Sequence, residues 1–89
     1  VENAESTAET KKFNLALLEK SASALENVPF EKRDLSSMIF AMDPAYIPYA
    51  IERIRHFRRS LSHELEHLGE QTEVYSLTVQ IIPLSETQE

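Results

Sequence analysis

The segment His63-Glu64-Leu65-Glu66-His67 has the spacing by which two imidazoles, one helical turn apart, ligate zinc while the intervening Glu64 activates water. His56 lies seven residues upstream, so at about 100° per residue the three imidazoles fall within roughly a 40° arc of one helix face. Such a stripe could hold a divalent ion. A zinc-dependent hydrolase built on His63, Glu64 and His67 is therefore one reading. Three features weigh against it. The His stripe runs opposite the apolar stripe of its helix, so the rings face solvent. Glu70 and Glu73 lie nearby but do not stand at the third-ligand spacing, and Gly69 falls one place early for the extended motif. A chain of 89 residues also has little mass with which to wall in a site. The prevailing reading is a solvated helix face, with no catalytic residue, no metal and no cofactor; His56, His63 and His67 rank only as a lesser surface site.

Arg53, Arg55, Arg58 and Arg59 place four guanidinium groups within two turns of the same helix. They could meet an acidic partner or a phosphate, but they do not share one face. Arg58 falls at the edge of the apolar stripe, where its stem can pack and its head can pair with a carboxylate such as Asp34. Tyr46 and Tyr49, flanking Ile47 and Pro48, form an amphipathic knob suited to core packing or an interface. The sequence holds no cysteine, no G-x-S-x-G and no glycine-rich phosphate loop, so no nucleophile or phosphate cradle is assembled.

The elements that would position these groups follow from periodicity. Leu15, Leu18, Ala22 and Leu25, widened by Phe13, Leu17 and Val28, predict a first amphipathic helix over 11–28, ended by Pro29. Asp43-Pro44 is a helix-start signal. Because Pro48 interferes with a regular first turn, the second helix is expected to become regular near Ile47. Ile47, Ile51, Ile54, Phe57, Leu61, Leu65 and Leu68 then step by threes and fours, with Gly69 as the stop.

Two segments alternate with period two. In Leu35–Met42, Met38, Phe40 and Met42 oppose Ile39 and Ala41; in Val74–Leu84, Tyr75, Leu77, Val79 and Ile81 oppose Ser76, Thr78 and Gln80. Read as strands, they give an α+β, two-layer chain in the order α-β-α-β, with a right-handed βαβ unit. Two strands make a poor sheet, so a second copy in a homodimer is expected to complete it. Met38, Phe40, Tyr75, Leu77, Val79 and Ile81 are then the interface or structural residues, beside Arg58 and Asp34.

Composition bounds the rest. Forty-two per cent hydrophobic and 27% charged residues, with one Gly and four Pro, describe a chain that folds. Nine basic against fifteen acidic residues give a net charge of −6, which argues against a nucleic-acid coat. No apolar run approaches the ~20 residues that cross a bilayer, and no leader opens the chain, so a cytoplasmic location with no membrane contact is expected. The polar start at residues 1–10 reads as a linker or cut site, leaving 11–89 as a single domain.

Arg33-Asp34-Leu35-Ser36-Ser37, Ile54-Arg55-His56-Phe57-Arg58 and above all Val74-Tyr75-Ser76-Leu77-Thr78-Val79-Gln80-Ile81-Ile82-Pro83-Leu84-Ser85 carry a family likeness. Over about Leu15 to Ser85 the chain resembles the C-terminal domain of the Fibrobacter-type paralogous family of bacterial transcriptional regulators. The resemblance implies a domain that follows an N-terminal helix-turn-helix-like, DNA-binding region of the same protein; with no catalyst assembled in the sequence, a non-catalytic oligomerisation or sensing module of a transcriptional regulator is the favoured reading. Direct nucleic-acid contact would then belong to that other region. A general protein-interaction domain, unconnected with transcription, is the third reading.

Overall fold

Thr7 opens the first helix: its Oγ1 accepts from the Thr10 N–H at 3.0 Å, satisfying one of the donors that a helix start leaves unpaired. In the computed structural model, which describes residues 7–85, α1 therefore spans Ala8–Asn27, beginning three residues before the apolar period does. Four alanines and four leucines in those twenty residues supply strong intrinsic propensity. Residues 8–10 of the expected linker belong to this helix, and residues 1–6 lie outside the described part. Val28 and Pro29 are extended, and Phe30–Lys32 makes one 3₁₀ turn.

The second helix forms as its sequence signals require. Asp43 Oδ1 accepts from the Ala45 N–H at 2.9 Å, Pro44–Tyr46 makes a 3₁₀ turn, and α2 runs regularly over Ile47–Leu65 with Pro48 in its first turn. Beyond Leu65 the chain unwinds through the 66–67 turn. Gly69 takes a φ of 66°, the left-handed region that costs a residue with a Cβ but not glycine. Gln71 Nε2 then donates to the carbonyls of Leu68 and Gly69, each at 3.1 Å.

The α+β expectation is overturned. Among the described residues there is no strand and no sheet. Residues 33–43 and 74–84 run without turn or bend, but among the described residues neither segment is assigned to a β ladder. Alternation at period two specifies an extended chain with two kinds of face. A strand additionally needs a neighbour about 4.8 Å away to take its N–H and C=O groups, and that neighbour is not a property of the segment. The βαβ unit, and the sheet that a second copy was to complete, go with the strands.

The chain divides after residue 40 into two compact units, a boundary inside the first expected strand. The first is organised on α1. Its least exposed line is Leu17, Ser21, Ala24 and Val28, roughly 110° around the helix from the stripe of Leu15, Leu18, Ala22 and Leu25. The Ser21 hydroxyl on that line is satisfied by donating to the Leu17 carbonyl at 3.1 Å. The second unit is organised on α2, where Ile47, Ala50, Ile54 and Leu61 are half-buried, as is Ile81 in the following segment. None of the described residues is fully buried, so neither unit has a core of its own.

Candidate functional site

His63 occupies the last turn of α2 and His67 the turn beyond it, both exposed. Their ring centroids lie 4.6 Å apart with planes tilted by 49°, and His67 Nδ1 is 2.8 Å from the His63 carbonyl oxygen. The i, i+4 spacing thus brings two of the three predicted imidazoles together. His56 stands about 10.5 Å further back along the helix axis, at 1.5 Å per residue over seven residues. Among the described residues no three His, Asp or Glu side chains converge on a metal position.

The arginines of α2 have separate occupations. Arg53 donates from Nη1 to the Tyr49 hydroxyl at 2.8 Å, with its guanidinium 5.8 Å from the centre of that ring. Arg55 meets Glu52 at 3.8 Å across one turn, an exposed pair of little energetic weight. Arg58 and Arg59 line a shallow groove with Ser62, Tyr75 and Leu77, so the extended segment after α2 runs beside the second half of that helix. Asp34, the carboxylate expected to pair with Arg58, belongs to the first unit, where its Oδ2 accepts from the Ser36 hydroxyl at 3.1 Å.

The apolar residues expected to form an interface are open. Met38 and Phe40 in the first unit are 78% and 58% exposed; Tyr75, Leu77 and Val79 in the second are also exposed, and Ile81 is half-buried. Exposure extends to Ile39 at 83%, Phe30 at 80% and Val74, which is fully exposed. Tyr46 and Tyr49 are likewise open.

One structural residue escaped the sequence reading. Arg33 folds back on the end of α1, donating from Nε to the Val28 carbonyl at 3.1 Å and from Nη2 to the Leu25 carbonyl at 3.3 Å, while its guanidinium lies 5.8 Å from the centre of the Phe30 ring. A cation thereby meets the negative end of the helix and one of the carbonyls that helix termination leaves unpaired. The signal was present as a basic residue a few positions past a proline-terminated helix.

No helix among the described residues is long and apolar enough to cross a membrane. A family model, Domain of unknown function (DUF4423), matches residues 2–84. No curated protein and no solved structure matches the chain.

Proposed function

This chain belongs to the DUF4423 family of domains of unknown function, and from that premise we propose that it is a non-catalytic oligomerisation module, the C-terminal part of a bacterial transcriptional regulator. The observation that carries the reading is the absence of any buried residue among those described, set beside wide exposure of large apolar side chains. In proteins most of a helix's stability comes from covering its apolar face and not from intrinsic propensity. On α1 that face is the Leu15, Leu18, Ala22 and Leu25 stripe, whose three leucines are all exposed. A second copy is the economical cover, because a two-fold interface uses the same patch twice.

The regulatory context rests on the resemblance of Leu15 to Ser85 to the Fibrobacter-type regulators, and the net charge of −6 agrees with leaving DNA contact to another region. Such a module would set the spacing of two DNA-binding regions, converting weak half-site contacts into cooperative binding. The test uses the full-length protein and duplexes carrying one or two half-sites. Leu18→Glu combined with Leu25→Glu changes two exposed positions and is expected to abolish the preference for paired half-sites while sparing single half-site binding. Equal preference in wild type and variant would overturn the reading, as would an encoding gene with no DNA-binding region ahead of this one.

A further inference from the structure

His63 and His67 are both exposed, with ring centroids 4.6 Å apart. A second observation concerns which nitrogen is available. The group facing His67 Nδ1 at 2.8 Å is the His63 backbone carbonyl, and a carbonyl oxygen only accepts. Nδ1 therefore carries hydrogen, and the lone pair of the neutral His67 ring sits on Nε2. Donation of one ring N–H to a backbone carbonyl is how metal-ligating histidines are held in tautomer and orientation. The helix end supplies that support before any ion arrives.

We propose that His63 and His67 form a two-imidazole surface site for a borderline divalent transition ion of the Zn²⁺, Ni²⁺ or Cu²⁺ class, with water in the remaining positions. Imidazole nitrogen suits these ions better than it suits Mg²⁺ or Ca²⁺, which take oxygen. Tetrahedral ligation with bonds of about 2.0–2.1 Å needs the two nitrogens about 3.3 Å apart. Each ring centroid lies roughly 1.1 Å beyond its ligating nitrogen, so two imidazoles on one such ion have centroids about 5 Å apart, and those of His63 and His67 stand at 4.6 Å. His56, about 10.5 Å away along the axis, cannot reach the same ion. With only two protein donors the ion stays exchangeable and open to added ligands, unlike a closed structural zinc site.

The test is calorimetric titration of NiCl₂ into the chain, freed of any affinity tag and in a non-coordinating buffer. His63→Ala, His67→Ala and His56→Ala are titrated alongside. One ion per chain is expected. Loss of either His63 or His67 should weaken binding at least about tenfold, since losing even a ligand's supporting hydrogen bond costs that much; His56→Ala should bind as wild type does. A parallel Cu²⁺ titration followed by NMR should broaden the ring protons of His63 and His67 before those of His56. Absence of binding up to millimolar NiCl₂, equal weakening by His56→Ala, or uniform broadening of all three histidines would overturn the site.

Discussion

Truncating Arg33 to alanine should loosen the end of α1 without touching its beginning. Arg33 makes two charge-assisted hydrogen bonds, at 3.1 Å to Val28 and 3.3 Å to Leu25, from a half-buried position. At such lengths and exposure each contributes at the lower end of the usual range, about 0.5–1 kcal/mol. The positive charge against the helix terminus adds about 0.3–0.5 kcal/mol, and the contact with the exposed Phe30 ring about 0.5 kcal/mol. Freeing the side chain returns about 1–2 kcal/mol of rotamer entropy, so the net loss is about 1 kcal/mol. Amide hydrogen exchange on the intact chain reads this locally: a loss of that size corresponds to roughly fivefold faster exchange at Leu25, Glu26 and Asn27. Exchange near Lys11 should be unchanged. Arg33→Lys keeps the charge but not the planar fork that reaches two carbonyls, so it should recover less than half of the effect. Unchanged exchange in the last turn of Arg33→Ala, or full recovery by lysine, would refute the capping argument.

Asp43→Ala removes the acceptor at 2.9 Å from the Ala45 N–H and should cost about 1 kcal/mol, read as lost helicity by circular dichroism in a urea series; Asp43→Ser should restore most of it. Gly69→Ala meets no atom within 4 Å, so any loss comes from the backbone alone. With φ at 66° the expected cost is about 1 kcal/mol. Gly69→Asn should cost less, because asparagine tolerates that region, and equal stability of all three chains would show that the left-handed turn is not maintained.

The helices were legible because their signals are local. Asp43 and Pro44 announced the helix start, Pro48 an irregular first turn, Ile47 began the regular helix, and the stripe of Ile54 and Leu61 became its less exposed side. The i, i+4 spacing of His63 and His67 was enough to bring their rings together. The strands failed because pairing is not local: Met38, Ile39 and Phe40 alternate as a strand would, yet among the described residues they join no ladder. On α1 the apolar stripe was identified correctly as a stripe, but the less exposed line passes through Leu17, Ser21 and Ala24, because the sequence does not say which face its surroundings cover. Arg33 was missed for a related reason. A guanidinium reaching back five and eight residues is set by the path of the chain through Pro29 and Phe30, which residue spacing does not encode.

Sedimentation equilibrium of the isolated chain over a wide concentration range tests most directly whether its open apolar faces are covered by a second copy. The expected result is a mass of twice 10.2 kDa at high concentration, relaxing toward 10.2 kDa on dilution, with the Leu18→Glu, Leu25→Glu variant remaining at the lower value throughout. A wild-type mass that stays at 10.2 kDa up to millimolar concentration would contradict self-association as the role of this domain.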